Sequence, residues 1–236
     1  MRFVGIASEA AQAVQAFHRV RSRLIGNRTA LVNQIRGILL EYGVAVPQGV
    51  TALRKALPAL LAEERWSPLI RQFLTEQQAE LTYWDTQIEA VTAHIKRESA
   101  TQPVCHRLQQ VRGIGPLGAS ALWLKAAGHS YRNGRHLAAA LGLVPQHTGT
   151  GGKVRLGRIS KRGDRYLRQL LIHGARAVVA QLGEKPDRLS HWLRCLVARR
   201  GMNKAVVALA KKNARVAFAI MHGDHTYDVT KVCRAA

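Results

Sequence analysis

The chain has 236 residues, of which 47% are apolar, and 36 Lys and Arg against 14 Asp and Glu give a net charge of +22. This apolar content excludes a generically disordered chain, and a membrane-spanning helix is excluded because no run of about 18 apolar residues occurs. The early polar residues exclude a secretory signal, and three scattered cysteines exclude a disulfide framework, so we expect a cytoplasmic protein.

The charge is concentrated in the C-terminal part. Residues 1–100 carry 12 basic and 9 acidic side chains, whereas residues 101–236 carry 24 basic and 5 acidic ones. Such asymmetry predicts a polyanion site in the second part. Nucleic acid is favoured over an anionic membrane surface or an incidental charge.

The first elements are helical. Residues 8–41 carry apolar side chains at helical spacing, which predicts a long helix with Ser8 as its N-cap and Gly43 as its stop. After a loop, we expect a short helix at about 52–57 that ends before Pro58.

A second long helical pattern runs from Leu60 to about Ser99, and Pro68 is expected to break or kink it near its start. Its acidic side chains are either metal ligands or the polar face of an amphipathic helix, and the polar face is favoured. These acids are Glu63, Glu64, Glu76, Glu80, Asp85 and Glu89. The two long helices predict an antiparallel hairpin, a coiled-coil segment or a dimer seam over residues 1–100.

A break at 101–103 marks a predicted domain boundary near residue 100, and a glycine turn follows it at Gly113-Ile114-Gly115. The surrounding pattern resembles the helix-hairpin-helix elements that bind DNA. Glycine lets the backbone approach a phosphate closely, and Pro116 suits the first turn of a helix whose free N–H groups attract an anion. The alternative is a plain tight turn between packed helices.

Residues 141–168 are rich in glycine and then in basic side chains. The pattern favours a short hairpin strand at 153–159 and a helix that begins at Gly163-Asp164, and such a loop suits phosphate contact. A Walker loop is excluded because Val154 follows Gly152-Lys153. A surface loop without a ligand is the alternative. The candidate DNA contacts are Gly113, Ile114, Gly115, Lys153, Arg155, Arg158, Lys161, Arg162, Arg165 and Arg168.

Hydroxyl groups in this segment raise a catalytic hypothesis. Attack on phosphorus by a hydroxyl needs positive charge around the reacting centre and usually a base or a metal. The charge is present, and His147 is near in sequence. For each of Thr148, Thr150 and Ser160, hydrogen bonding within the loop is the alternative role.

Five blocks occur in a fixed order: Gly113–Gly115, Gly134–Pro145, Gly151–Lys153, Ile159–Arg168 and Leu171–Arg176. The set closely resembles the C-terminal transposase domain of the bridge-RNA-guided insertion-sequence transposases, relatives of the Piv/MooV DNA invertases. The resemblance covers about 105–222, and the helical region before it resembles the coiled-coil segment of the family.

The resemblance implies a transposase with two catalytic parts. A RuvC-like domain supplies four acids, Asp-Glu-Asp-Asp, that hold magnesium, and the C-terminal domain supplies a serine that becomes covalently linked to DNA. It also implies a structured guide RNA and a homo-oligomer assembled through the coiled coil. Counted from Pro145, the serine position is Thr150, which is therefore the candidate nucleophile, with Ser160 as the second candidate.

The chain departs from the family because the RuvC-like domain is missing. No aspartate precedes Asp85, and no alternating strand–helix pattern occurs at the start. We therefore expect Met1 to be an internal methionine of a longer reading frame, or the chain to be a truncated remnant. We expect no metal or cofactor in this chain, since the missing domain would hold the magnesium.

Together these patterns predict a mainly α protein with a helical region at 1–100, a transposase DNA-binding domain at 101–223 and a polar tail at 224–236. His222, Asp224 and His225 hint at a metal, although a polar tail is favoured. The predicted function is DNA transposition and recombination, at the nucleoid and without a membrane. The alternatives are an inactive nucleic-acid-binding remnant, a competitor of full-length transposase, or a ribosome- or RNA-associated basic protein.

Overall fold

A computed structural model describes residues 8–128, 131–223 and 227. Over these residues the protein is mainly helical, which confirms the predicted fold class, and one antiparallel pair of strands accompanies the helices. The elements are α1 (Glu9–Glu41), α2 (Val50–Ala62), α3 (Pro68–Ala100), α4 (Pro103–Gln109), α5 (Pro116–Gly128), α6 (Gly134–Ala140), β1 (Pro145–Thr150), β2 (Lys153–Ile159), α7 (Arg165–Ala180), α8 (Arg188–Arg200) and α9 (Met202–His222).

The structure separates into two compact units. The first unit consists of Ala16–His94, and the second consists of the described residues on either side of it. The predicted domain boundary near residue 100 lies a few residues beyond the first unit. It stays a prediction, because compactness alone does not establish that a segment folds independently.

Both ends of α1 follow the sequence prediction. The Ser8 hydroxyl accepts the amide hydrogen of Ala11 at 3.3 Å, as an N-cap does. Gly43 has φ +76, and its amide donates to Leu40 while that of Val44 donates to Leu39. This pair of bonds is a Schellman motif, which needs the left-handed conformation that glycine adopts without strain.

In the first unit, α1 and α3 run antiparallel. Phe17 stacks on His94, Arg21 donates to Thr92, and Arg28 is paired with Asp85. Along these pairs the residue number increases in α1 and decreases in α3, so the two helices are antiparallel. Arg54 of α2 also pairs with Asp85, so one carboxylate joins all three helices. This acid, considered above as a metal ligand, is neutralised by two guanidinium groups.

The predicted end of the second helix before Pro58 is wrong, because α2 continues through this proline to Ala62. The helix buries Leu53, Leu57 and Leu60 on one face. Burial of three leucines contributes about 1.5–3 kcal/mol each, which outweighs the ~3 kcal/mol that an internal proline costs.

The predicted break of the long pattern at Pro68 is confirmed, because α2 ends at Ala62 and α3 begins at Pro68 after a loop. Within the loop, Trp66 is buried and its indole N–H donates to the Leu60 carbonyl at 2.6 Å. Arg71 donates to the carbonyls of Leu61 and Glu63. The end of α2 is therefore capped by side chains that follow it, which the helical periodicity alone does not reveal.

The second unit packs α4 to α9 around one apolar core. The last helix, α9, contacts α4, α5, α6, α7 and α8. Its buried face is rich in alanine, including Ala205, Ala210 and Ala214, and such small side chains allow neighbouring helices to come close. The two strands leave this core as a hairpin between α6 and α7.

No helix in the described part of the chain is both long and apolar enough to cross a membrane. Most of the predicted polar tail, including Asp224 and His225, lies outside the described residues.

Candidate nucleic-acid interface

The predicted hairpin strand at 153–159 is confirmed as β2, which pairs with β1 to form a hairpin arm (residues 145–159). Gly151 and Gly152 connect the strands with φ values of +59 and +77. Two successive positive φ angles are those of a type I′ turn, which matches the right-handed twist of the strands. From Gln146 to Arg158 every described side chain is exposed, so the arm stands away from the core.

The register of the arm separates its side chains onto two faces. Thr150 lies opposite Lys153 and Thr148 lies opposite Arg155. Directly opposed residues of an antiparallel pair share a face, and alternate residues share it along a strand. One face of the arm therefore carries two hydroxyl groups and two cations, and we call it the hydroxyl–cation face.

His147 belongs to the other face. It lies opposite Leu156, one position out of step with Thr148 and three from Thr150. Because successive residues of a strand point to opposite sides, the imidazole is directed away from both threonine hydroxyls. Proximity in sequence therefore does not make His147 a base for Thr150 in this conformation.

The arm base (residues 160–164) is held against the end of α6. The Ser160 amide donates to Val144 at 2.8 Å and the Lys161 amide donates to Gly142 at 3.2 Å. A Cβ on Gly163 would lie 1.9 Å from the Ala140 carbonyl oxygen, and one on Gly142 would lie 2.3 Å from that of Arg162. Glycine at both positions is therefore a requirement of close backbone packing.

Arg168 is not on the candidate surface, although the sequence predicts a DNA contact there. Its side chain is 8% exposed, and its Nη1 donates to the carbonyls of Leu141 at 3.0 Å and Arg162 at 3.2 Å. The guanidinium therefore ties the arm base to the end of α6. A sequence signal for this burial exists, because Arg168 lies three residues before Leu171 and seven before Ala175 on the buried stripe of α7.

Asp164, the acid within the basic segment, has structural partners. Its carboxylate accepts the Leu167 amide at 2.9 Å as the N-cap of α7, and it lies 3.8 Å from Lys125. Burial raises the pKa of Tyr131, and the charge of Asp164 raises it further. The Asp164 carboxylate therefore stabilises the start of α7 and does not only offset the positive charge around it.

The remaining cations of the segment are all exposed. Three lie on the arm, two lie in its base and one opens α7. They are Lys153, Arg155, Arg158, Lys161, Arg162 and Arg165. Lys161 also has a positive φ of +53, so the base carries its charge on a tight turn of the backbone. Six of the ten predicted DNA contacts are therefore exposed side chains of one continuous segment, residues 153–165.

Of the candidate hydroxyls, Thr150 is exposed beside the turn, whereas Ser160 has a local role. The Ser160 hydroxyl accepts the Arg162 amide at 3.5 Å, which stabilises the arm base. Thr148 donates to the Arg155 carbonyl at 3.4 Å across the two strands. Thr150 is thus the candidate that presents its hydroxyl beside a cation at the tip of the arm.

The glycine turn between α4 and α5 is tightly packed on one side. Gly113 has φ +90, and a Cβ added at Gly174 of α7 would lie 1.9 Å from its carbonyl oxygen. Asn213 of α9 donates to the Arg112 carbonyl at 2.8 Å. Ile114 is buried in the core, whereas Gly115 is exposed and has open space around it. Gly115 and the start of α5 are therefore the accessible part of this turn.

A partly buried network also holds the turn. Arg112 donates to both carboxylate oxygens of Asp187, which also caps α8 through the Ser190 amide. Partial desolvation raises the pKa of Asp187, but the hydrogen bonds from Ser190 and the guanidinium of Arg112 outweigh it and lower the pKa to about 2. The sequence analysis missed this pair, since the two residues are distant in the chain.

The arm base and the glycine turn lie at opposite ends of α5. Gly113 contacts Gly174, whereas Lys125, near the other end of α5, lies beside Asp164. Nine residues of helix separate Pro116 from Lys125, which at 1.5 Å per residue is roughly 14 Å. The turn and the basic segment are therefore two neighbouring parts of the second unit.

Within the described residues, no three His, Cys, Asp or Glu side chains are arranged to hold a metal ion. The expectation that this chain holds no metal or cofactor stays a prediction.

A sequence model of the Transposase IS116/IS110/IS902 family matches residues 105–190. A protein of Pseudomonas aeruginosa named "Probable family 20 transposase" is 45% identical over 236 aligned positions, which cover 96% of this chain and 68% of the relative. The chain belongs to the IS116/IS110/IS902 transposase family.

Two further transposase-family relatives are similar over nearly the whole chain. The transposase for insertion sequence element IS1111A of Coxiella burnetii is 40% identical, over 96% of this chain and 63% of the relative. The transposase for IS1328 of Yersinia enterocolitica is 36% identical, over 93% and 66%. The chain thus spans about two thirds of the length of these relatives.

The family match contains the whole candidate interface. It begins at Cys105 in α4, includes the glycine turn, the hairpin arm and its base, and ends at Ser190, the partner of Asp187. The residues that match the family model therefore include the exposed cations of the arm and its base.

Proposed function

We propose that this chain is a DNA-binding portion of an insertion-sequence transposase, and that the hairpin arm and its base bind the phosphate backbone of duplex DNA. The observation that carries the proposal is the set of six exposed cations on residues 153–165. They lie on the surface of the second unit, and Asp164, the acid among them, is the N-cap of α7. Neutralisation of phosphates by Lys and Arg is the main source of affinity for DNA.

The glycine turn supplies a second contact in this proposal. Gly115 leaves the amide end of α5 open, and backbone N–H groups at a helix start bind phosphate without reading sequence. Pro116 lies beside the turn and Lys125 lies beside the arm base, and the rise of roughly 14 Å between them along α5 corresponds to about four base pairs at 3.4 Å each. A short duplex is therefore long enough to span both parts.

The phosphate contacts are tested with a triple variant of the arm, Lys153→Ala, Arg155→Ala and Arg158→Ala. Each lost phosphate contact makes the slope of log K against log salt concentration less negative by about 0.9, so we expect a change of about 2.7. The matched control removes three exposed cations of the first unit, Arg19, Arg23 and Lys55. Equal changes for both variants would contradict a role for the arm, because binding would then follow total charge alone.

We further propose that Thr150 is the nucleophile in strand transfer. Its hydroxyl would lose a proton, its oxygen would form a bond to a DNA phosphorus, and one phosphorus–oxygen bond to deoxyribose would break and leave a free DNA hydroxyl. The position of Thr150 opposite Lys153 supports this role, because a cation stabilises the charge that develops on the phosphate.

Denaturing electrophoresis of the protein incubated with labelled DNA tests the catalytic part. We expect a covalent adduct with the natural chain that Thr150→Ala abolishes and Thr150→Ser retains. An adduct that persists in Thr150→Ala would exclude this nucleophile. DNA binding without any adduct would favour the second candidate function, a nucleic-acid-binding module that competes with complete transposases, which the opposite placement of His147 supports.

The family resemblance extends the proposal to partners. We propose that the complete enzyme uses a structured guide RNA, that subunits assemble through the helices of residues 1–100, and that magnesium is held by an acidic domain rather than by the residues described here. Competition between a structured RNA and duplex DNA, together with sedimentation of the chain, tests the first two statements.

A further inference from the structure

Leu156 is an apolar side chain in an unusual setting. It lies in the middle of β2 and is 66% exposed, between Arg155 and Arg158 on a cationic arm. A single exposed leucine on a protein surface needs no explanation. Here, however, the residue stands on an element that leaves the core and carries no acid, since residues 145–163 contain neither Asp nor Glu.

The two faces of the arm differ in chemistry. Lys153, Arg155 and the two threonines share the hydroxyl–cation face, whereas Leu156 shares the opposite face with His147. A ligand that covers the whole arm must therefore offer negative charge to one set of side chains and an apolar surface to the other. Duplex DNA has this combination, with phosphates along its walls and stacked bases between them.

The form of the arm also suits a groove of DNA. Two-stranded ribbons bind in the major groove or in the minor groove. Long Lys and Arg side chains can bend from the ribbon toward the phosphates beside it. The face that carries Leu156 and His147, which we call the Leu156 face, is then directed to the bases. Apolar side chains that proteins insert from the minor groove act as wedges, which partly unstack a base step and kink the duplex, and the minor groove is therefore the groove that this role requires.

We propose that the Leu156 face of the hairpin arm contacts the bases of bound duplex DNA, and that Leu156 is a wedge that opens the stacking at one base step. This inference rests on the proposed function, because it requires the arm to be bound to DNA. It adds that binding distorts the duplex, and it assigns the distortion to an uncharged residue.

The experiment uses the full chain and a short duplex with one TA step, the kind of step that unstacks most easily. 2-Aminopurine replaces the adenine of that step, and its fluorescence rises when stacking is lost. We expect the natural chain to raise the fluorescence severalfold, and Leu156→Ala to lose most of the rise while it keeps the salt slope of binding. Leu156→Thr retains strand propensity and should lose the rise equally, which separates loss of the wedge from loss of the strand.

Leu69→Ala is the matched control, because Leu69 is 74% exposed on α3 in the other unit, and it should keep the full rise. Salt-dependent binding without a fluorescence rise, or an equal rise with Leu156→Ala, would overturn the wedge and leave the proposed function intact. No binding by the natural chain would overturn both. A change in self-association with Leu156→Ala, measured by sedimentation, would assign the leucine to a contact between copies and overturn the inference.

Discussion

Individual residues in the basic segment have different roles that their chemistry alone does not distinguish. Arg165 and Arg168 are equally basic in the sequence, yet Arg165 is exposed while Arg168 is buried under two carbonyl groups. Their difference follows from helical phase, since Arg168 lies on the apolar stripe of α7. Residue type therefore predicts where positive charge is found, and the phase of the helix determines which charges reach a ligand.

Arg168→Met should reduce stability and leave the salt dependence of DNA binding unchanged. The carbonyls of Leu141 and Arg162 lose their donor, and an unpaired buried group costs about 1–3 kcal/mol in the free energy of unfolding. Arg158→Ala is the control, with little change in stability but a salt slope less negative by about 0.9. Chemical denaturation and anisotropy measure the two quantities. The assignment fails if Arg168→Met remains stable and reduces the slope.

Gly163→Ala should be far more destabilising than Gly201→Ala. Both glycines have φ +81, so both substitutions incur the ~1–2 kcal/mol cost of a left-handed alanine. A Cβ at Gly201 meets open space, whereas one at Gly163 would lie 1.9 Å from the Ala140 carbonyl oxygen. Thermal unfolding of the two variants measures the difference, and equal losses would show that the arm base is not packed as described.

His18 should make the protein less stable in mild acid. Burial, and then the charge of Arg21, lower its pKa to about 4 from the ordinary 6.5. Between these values the unfolded chain binds a proton that the folded chain does not, so stability falls as the pH drops from about 6.5 to about 4. Denaturation at several pH values should show a smaller fall for His18→Gln. Parallel curves for the two proteins would contradict the lowered pKa.

At the scale of elements, helical periodicity predicts the long helices well and their connections poorly. Ser8 and Gly43 define α1 because capping residues act locally. Pro58 misleads, because burial of the leucines on α2 depends on packing that the local sequence does not show. Leu69 is the first apolar residue after Pro68 in α3 but is exposed, whereas the buried positions of the helix include Leu74, Leu81, Ile88 and Ile95.

The hairpin arm was predictable only in part. Glycine content and β-compatible residues indicate a turn and the second strand, but the register that separates Thr150 from His147 comes from the structure. Because the arm has its own turn and few contacts with the core, a substitution in the turn should change the conformation of the arm without unfolding the protein.

Gly151→Val should weaken DNA binding severalfold and lower the free energy of unfolding by no more than the ~1–2 kcal/mol that a left-handed side chain costs, because the arm can rearrange while the core stays folded. A β-branched residue resists the φ of +59 that the turn requires. Gly151→Asn is the control, because Asn-Gly is favoured in type I′ turns and should preserve binding. Equal affinity of the two variants would mean that the shape of the arm is unimportant for binding.

At the scale of the whole molecule, the sequence shows that positive charge is concentrated in the second part, and the structure presents six of these cations on one exposed basic segment. The pairs Arg112–Asp187 and Gly113–Gly174 join residues far apart in the chain, so composition and spacing do not reveal them. They fix the glycine turn in the unit that carries the arm. The interface therefore depends on the fold of the entire second unit.

The most direct test of the central claim is fluorescence anisotropy of the purified chain with labelled duplex DNA across a salt series. Six exposed cations on the arm, its base and the start of α7 predict a slope of log K against log salt of about −5.4, at about 0.9 per phosphate. A slope near zero, or no binding at low salt, would contradict the account, because the exposed cations would then not be a DNA-binding surface.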